Sequence, residues 1–334
     1  HVNPTGGLIR NSGGWTYGKN VLPMERPSKE FPMSQNIGEN IQFGLDYRGN
    51  GYLLLQDSIK RIDFQSMSGS IYTNVDISEK MNIFARYDFL AQLWEAYGVI
   101  HILPNDGYFK GGSFTPNYGI RLDDHTAYTR GGDLGYITSG ASQRGLIYNP
   151  YYVESGLEVG QYISDFVFVT ASVGNPHSPQ VFKSDPSYTA NLEFYPKISD
   201  VAALMFGGSV AIFKQTIQPV GQVQMYGGYA GIGIGDFTLM GEFDVANNFV
   251  KKDSLSNALM IEAAYQVVKG LDAVVRYDRF DPLKSRDEDD ISRLIVGFEV
   301  HPYSFVEIRP QYRFQMEHPS ITNDTFLVQF HLWY

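Results

Sequence analysis

The chain has 334 residues, a formal net charge of -10 and an isoelectric point near 5.2, which argues against nucleic-acid binding because that needs clustered basic charge. It contains no Cys, which excludes disulfides, thiolate metal sites, thiol catalysis and c-type haem attachment. Mean hydropathy is -0.21 and no apolar run approaches the ~18 residues of a membrane helix, yet a wall of strands with alternating apolar and polar residues escapes such a scan.

Residues 1–38 are rich in Gly, Pro and Asn and show little periodicity, which predicts an extended N-terminal segment separate from a single unit at 39–334. No export signal opens the chain, as expected of a mature chain whose leader has been removed. Segment 39–48 (ENIQFGLDYR) alternates, either as the start of a first strand or as part of a larger set of 18 strands. Strands are then expected near 51–64, 67–77, 81–90, 91–103, 107–115, 151–160, 163–174, 187–195, 200–213, 221–234, 236–249, 255–268, 270–280, 291–301, 303–316 and 326–334, which makes about 16. The alternation is clean in several of them: Phe237, Leu239, Gly241, Phe243 and Val245 oppose Asp236, Thr238, Met240, Glu242 and Asp244. The expected length of 9–13 residues matches what a tilted membrane strand needs.

The connections alternate in length. Short turns are expected at Ser78–Lys80, Pro104–Gly107, Gln161–Ser164, Gly235–Asp236, Lys269–Gly270 and Pro302–Tyr303. Longer polar connections lie between them, at 116–150, 175–187, 214–221, 249–256 and 281–291. The last nine residues, FLVQFHLWY, place Phe326, Val328, Phe330, Leu332 and Tyr334 on one face and Leu327, Gln329, His331 and Trp333 on the other. This terminal aromatic strand, with Phe330, Leu332 and Tyr334 as the assembly signal, resembles that of Gram-negative outer-membrane porins. Counting back from Tyr334, short connections fall on one side and long ones on the other, as transmembrane barrels show.

The resemblance implies an all-β fold: a transmembrane antiparallel up-and-down β-barrel of about 16 strands, with 18 as the larger alternative, and a long in-folded loop. It implies a multi-pass location in the outer membrane, contact with lipid, lipopolysaccharide and the barrel assembly machinery, and possible homo-oligomers. The N-terminal segment is then periplasmic or lumenal, or a docking arm for a partner. The connection 116–150 follows the fifth strand, the one that in porins of 16 strands folds inward and narrows the pore. It carries Arg121, Asp123, Asp124, His125, Arg130, Asp133 and Arg144, and mixed charge of this kind suits a constriction that filters solutes. Other readings of the loop are an extracellular excursion and a metal site at Asp123, Asp124 and His125. A third is a resemblance of GGSFTPNYGIRLDDHTAYTR to barrels of porin–cytochrome electron conduits.

The polar strand faces define an expected lumen. Its acidic positions are Glu193, Asp236, Glu242, Asp244, Glu262, Asp272, Asp278, Glu299 and Glu307, and its basic ones Arg86, Arg276, Arg293, Arg309 and Arg313. Charges in lipid are costly, so these line water or pair with one another. The constriction residues are expected opposite Arg276, Arg293, Arg309 and Arg313, with a modest preference for cations overall. Tyr and Phe near strand ends, among them Tyr47, Tyr87, Tyr303 and Phe305, are expected to form interfacial girdles.

Enzyme signatures are thin. There is no G-x-S-x-G, H-E-x-x-H or P-loop, and GIGIG at 231–235 ends a strand without a following helix. The expected function is passive diffusion of small polar solutes or ions, with no cofactor. The alternative is a sheath around a multihaem cytochrome, in which every haem belongs to the partner.

Overall fold

The structure is a computed structural model, and it describes residues 36–56, 60–120, 126–132, 152–176, 186–199, 201–214, 221–303, 305–318, 320 and 322–333. Sixteen strands close into one ring. The first eight are β1 (Ile41–Gln56), β2 (Lys60–Ser78), β3 (Met81–Asp88), β4 (Leu93–Ile100), β5 (Tyr108–Phe114), β6 (Glu154–Ser164), β7 (Val167–Pro176) and β8 (Ser187–Phe194). The second eight are β9 (Ala202–Lys214), β10 (Gln222–Ile234), β11 (Phe237–Asn247), β12 (Leu255–Val268), β13 (Leu271–Asp281), β14 (Ile291–Tyr303), β15 (Val306–Glu317) and β16 (Asn323–Trp333). Each pairs antiparallel with the next, and β16 pairs with β1 from Asn323↔Gln56 to Trp333↔Asp46, which closes the wall. Two short strand pieces, Asn36–Ile37 and Lys197–Ser199, add to β1 and β9.

Alternation decides which way the wall faces. On β11, Phe237, Leu239 and Phe243 point outward and are exposed, whereas Met240, Glu242, Asp244 and Ala246 point inward and are buried. On β16, Phe326 and Leu332 are exposed, and Leu327, Gln329 and His331 are buried. Exposed aromatic and aliphatic side chains recur around the ring, among them Ile83, Phe109, Leu157, Ile261, Val275, Val296 and Phe298. A continuous apolar belt of this size is unfavourable in water and favourable in lipid. Among the described residues no helix is long and apolar enough to cross a membrane; the strands are the spanning elements.

The ring has a short-turn end and a long-connection end. Residues 235–236 and 269–270 turn tightly at the short end, with Gly235 and Gly270 at φ 58° and 81°. The long-connection end carries 115–153 between β5 and β6, the connection expected after the fifth strand.

Several boundaries depart from the sequence expectation. The strand expected at 51–64 straddles a connection at 57–59, and segment 39–48 is the beginning of β1 rather than part of a larger ring. Gly49-Asn50-Gly51 lies inside β1 at a register shift between Arg48 and Gly49. A Cβ on Gly49 would stand 2.6 Å from the Phe330 ring, and one on Gly51 2.9 Å from Phe64, so these glycines make room for neighbours. Gln161–Ser164 lies within β6, and the turn follows at 165–166; Pro302–Tyr303 likewise ends β14. β3, β4, β5 and β8 have only 7 to 8 residues, shorter than expected.

Candidate functional site: the in-folded loop and the inward wall

The connection after β5 turns into the barrel, and its described part, 115–120 and 126–132, lies against the inner wall. Its anchors pass round the ring in order. The Thr115 amide and hydroxyl donate to Glu95 Oε1 on β4 at 3.0 and 3.2 Å. Asn117 donates to Glu193 Oε1 on β8 at 2.8 Å and to Thr170 Oγ1 on β7 at 3.3 Å. The Gly119 amide donates to Ser209 Oγ on β9 at 2.8 Å, and the Ile120 amide to Glu242 Oε2 on β11 at 3.2 Å.

Two glycines permit this approach. Gly119 sits at φ +59°, and a Cβ there would lie 1.7 Å from Glu242 Oε1. Gly227 on β10 pairs directly with Asp244, and a Cβ on it would lie 2.2 Å from Asp244 Oδ1 and 2.8 Å from the Tyr118 hydroxyl oxygen. With side chains at either position the loop could not reach the wall carboxylates.

Arg130 completes the anchorage. It ends a 3₁₀ turn, Tyr128–Arg130, that stops at Gly131 with φ 97°. One terminal nitrogen of its guanidinium donates to both Glu242 carboxylate oxygens at 2.7 and 2.8 Å, and to the carbonyls of Ile120 and Tyr118 at 2.5 and 3.3 Å. Asp244 Oδ2 stands 3.7 Å from the other terminal nitrogen. The Tyr118 hydroxyl donates to Asp244 Oδ1 at 3.2 Å. Burial opposes the Arg130 charge, but Glu242 and Asp244 outweigh it and hold its pKa above the ordinary arginine value. Burial, with the Asp244 and Glu242 carboxylates behind it, pushes the Tyr118 hydroxyl up.

A second anchor holds Thr126. Arg276 on β13 donates to its hydroxyl at 2.9 Å, and Arg293 on β14 donates to its carbonyl. Both guanidiniums also donate through Nε to Asp278 Oδ2, at 3.0 and 2.9 Å, and Arg293 stacks over the Tyr128 ring at 4.4 Å. Glu262 lies 3.8 Å from Arg276.

Beneath these polar contacts is an apolar seat. Ile120 and Ala127 pack on Met205, Tyr229, Met240 and Met260, one residue from each of β9 to β12. Tyr118 and Tyr128 pack with Phe213, Met225, Phe249 and Phe280. Burying Tyr118, Ile120 and Tyr128 is worth roughly 1.5–3 kcal/mol each, against about 1 kcal/mol net for an ordinary hydrogen bond. Apolar burial therefore favours the inward position, and the polar anchors fix its register.

A third cluster lies nearer the short-turn end, across β14, β15, β16 and β1. Arg309 donates to Glu307 Oε1 at 2.8 Å and pairs with Glu299 Oε1 at 2.9 Å. His331 places Nδ1 3.4 Å from Glu307 Oε2 and Nε2 2.5 Å from Asp46 Oδ2, so it bridges three strands across the closing seam. His301 stands 3.5 Å from Glu307 on its other side. Arg313 is buried on the same wall beside Gln311.

Of the residues singled out in the sequence, Glu242, Asp244, Glu262, Arg276, Asp278, Arg293, Glu299, Glu307, Arg309 and Arg313 all face inward and are buried. Glu193 does the same on β8, and Arg86 pairs with Glu95 and Asp88. Asp236 departs from the expectation: it sits exposed in the turn between β10 and β11, because the strand begins only at Phe237. Arg130 is brought onto Glu242 and Asp244 rather than across a gap from the wall arginines, and Arg276 and Arg293 hold the loop itself. Arg121, Asp123, Asp124, His125, Asp133, Arg144 and Tyr334 lie outside the described residues, as do residues 1–35 of the N-terminal segment. The sequence reading missed Asp46 and Glu95, which are inward by strand parity, and Tyr118 and Thr126, whose only signal was a place in the long loop. It also missed Lys110, which pairs with Glu158 at 2.6 Å and lies over the Phe114 ring at 4.2 Å.

A closed ring of sixteen antiparallel strands, apolar outside and charged inside, with the connection after the fifth strand folded in, defines a transmembrane β-barrel of porin architecture. No family model matches the sequence, and no curated protein does. Among solved structures, the fold is similar to OprB of Pseudomonas putida at high pH, with a TM-score of 0.64 and 11% identity over 88% of this chain and 94% of that one. It is similar to OmpF of Salmonella typhi, with a TM-score of 0.61 and 11% identity over 88% of this chain and 98% of that one. An anion-selective porin from Comamonas acidovorans gives a TM-score of 0.61 and 10% identity over 88% of this chain and 99% of that one. Identities this low carry the architecture and not the site.

Proposed function

We propose that this chain is an outer-membrane channel of a Gram-negative bacterium for passive diffusion of small polar solutes or ions. The observation that carries the reading is the loop between β5 and β6, held inside a closed barrel by Glu242, Asp244, Arg276 and Arg293. A barrel that only anchors a partner in the membrane has no need of an internal loop fixed to charged wall positions. The reading assigns no reaction and no cofactor to the chain. Lipid surrounds the outward belt, and the outward Phe330 and Leu332 suit an assembly signal in the terminal strand. The other reading from the sequence, a sheath around a multihaem cytochrome, finds no specific support in the comparisons.

The outer wall favours a homo-oligomer. β3, β4 and β5 have 8, 8 and 7 residues, and eight tilted residues cover about 19 Å of a ~25 Å apolar band. An apolar hollow of about 730 Å³, edged by Ile77, Ile83, Phe109, Leu157 and Val173, lies on this low side. A second copy packed here covers the mismatch at lower cost than thinned lipid.

Recording in planar bilayers tests the channel reading. Stepwise ohmic conductance is expected from the purified, refolded barrel. A folded, heat-modifiable barrel that inserts and passes no current overturns it.

A further inference from the structure

We propose that the lumen carries a binding site for organic ammonium cations with an apolar body, formed on the inward face of β3 to β7 by aromatic rings around Lys110 and Glu158. The proposal deepens the channel reading and rests on it, since the cation has to enter the lumen.

The rings share one face. Phe84 on β3 pairs across the ladder with Tyr97 on β4, their ring centroids 5.1 Å apart, and Tyr97 meets Phe114 on β5 at 6.2 Å. Tyr108 on β5 meets Phe168 on β7 at 6.4 Å, and Phe168 meets Tyr162 on β6 at 4.5 Å. Strand parity sends them inward: Tyr97 shares the face of Glu95 and Phe168 that of Thr170, both of which touch the in-folded loop, whereas Ile83, Phe109 and Leu157 point outward. Tyr97 and Phe168 each stand on the short-turn side of that loop contact. A solute that passes the loop meets the rings next.

One ring lies flat on the wall. A Cβ on Gly160, directly opposite Tyr108, would lie 2.4 Å from the Tyr108 ring. The ring therefore covers the glycine, and its hydroxyl donates to Glu158 Oε1 at 2.8 Å. One ring face turns to the wall and the other to the lumen. Phe84, Tyr97, Tyr108 and Phe168 are all half-buried.

The wall already holds an ammonium here. Lys110 Nζ lies 4.2 Å from the Phe114 centroid, 5.3 Å from that of Tyr97 and 2.6 Å from Glu158 Oε1. The negative faces of aromatic rings attract a cation in this way. Glu158 Oε2 is buried and accepts no hydrogen bond among the described residues, which leaves an acceptor for a further N–H. The described inward face of β3 to β8 sets Arg86 and Lys110 against Asp88, Glu95, Glu154, Glu158 and Glu193. That surplus of carboxylates repels an anion. A neutral ring compound gains contact with the rings alone, whereas an ammonium gains the ring faces and the carboxylates together.

Calorimetric titration of the refolded barrel in detergent, with the micelle blank subtracted, reads binding whether or not ions pass. Potassium current in bilayers tests the channel reading separately, so the two can fail independently. The probes are benzylammonium, benzyl alcohol and methyl glucoside. Benzylammonium is expected to bind about tenfold more tightly than either neutral probe, and Phe168→Leu to weaken it about twofold to fivefold, the share of one ring. Lys110→Met removes the resident ammonium and should tighten benzylammonium several-fold, a gain that rings serving only to stiffen the wall would not give. Equal affinity for benzylammonium and benzyl alcohol, tighter binding of the glucoside, or no gain in a folded Lys110→Met barrel overturns the proposal. If Lys110→Met does not fold, Phe168→Leu decides it, and an unchanged affinity there overturns it.

Discussion

Arg130, carried inward on a loop, donates to both carboxylate oxygens of Glu242 in the barrel wall at 2.7 and 2.8 Å, and neither side chain has meaningful access to water. The pair joins residues 112 positions apart in the chain. A buried ion pair adds little over a well-packed apolar replacement, but loss of one partner strands the other charge.

Arg130→Ala is therefore expected to destabilise the folded barrel by about 3–5 kcal/mol, because Glu242 and Asp244 stay buried without their cation. Urea unfolding in detergent micelles measures this. A loss under about 1 kcal/mol means that the pair is relaxed or wetted and does not hold the loop. The Arg130→Ala plus Glu242→Gln double variant should lose clearly less than the sum of the two single changes.

Gly119→Ala should displace the loop even though it adds only a methyl group. The backbone there has φ +59°, and the new Cβ would collide with Glu242 Oε1. Gly228→Ala is the control, since a Cβ at that position meets nothing within 4 Å. We expect lower stability and noisier single-channel current for the first, and neither for the second. Equal behaviour of the two variants would show that the loop does not sit on Glu242.

Tyr118 links stability to alkaline pH. Its hydroxyl is buried against two carboxylates, so its folded pKa lies above the unfolded value near 10. The stabilisation is fully present below the unfolded value. As pH rises beyond it, the unfolded chain ionises first and stability falls, by up to about 1.4 kcal/mol per pH unit for this group. Unfolding curves at pH 8 and pH 11 should show a smaller alkaline loss in Tyr118→Phe than in the parent. Parallel losses would mean that Tyr118 titrates as if exposed.

The seam where the ring closes depends on a few side chains. His331 reaches Asp46 on β1 and Glu307 on β15, so one imidazole ties the last strand to both neighbours. His331→Ala should lower the temperature at which the unboiled, fast-migrating form converts on a gel, and Asp46→Asn should lower it less. A conversion temperature unchanged in His331→Ala would place the closing strength in the backbone ladder alone.

The ring was legible from residues because its signal is repeated. Phe237, Leu239 and Phe243 against Thr238, Met240, Glu242 and Asp244 give two faces without any tertiary information, and a slip of one residue would send every charge into lipid. Boundaries were less legible: the strand expected at 51–64 runs across the connection at 57–59. The site was legible only in part. Glu242 and Arg276 show by parity that they face inward, but nothing in their spacing says that one takes Arg130 and the other Thr126, since those contacts cross 112 and 150 positions. The inward methionines at 205, 225, 240 and 260 broke the expectation of a polar lumen, because the loop needs an apolar seat.

Ion selectivity follows from the excess of carboxylates over cations among the described inward-facing residues. Arg130, Arg276, Arg293 and Arg309 are each held by carboxylates, and Asp46, Glu95, Glu154, Glu158, Glu193 and Asp272 add further acidic groups to the inward face. A low-dielectric wall focuses that surplus onto the water path, so a permeating cation gains and an anion loses. Reversal potentials across a tenfold gradient of potassium chloride should then show cations favoured, more strongly at low ionic strength, where the Debye length grows from about 10 Å at 0.1 M to about 30 Å at 0.01 M. Glu193→Gln, which keeps an acceptor for Asn117, should weaken the preference without closing the channel. A conducting barrel that prefers anions at low salt would mean that the path runs along the arginines of β14 and β15, and that the carboxylates on β6 to β8 are out of reach of the moving ion.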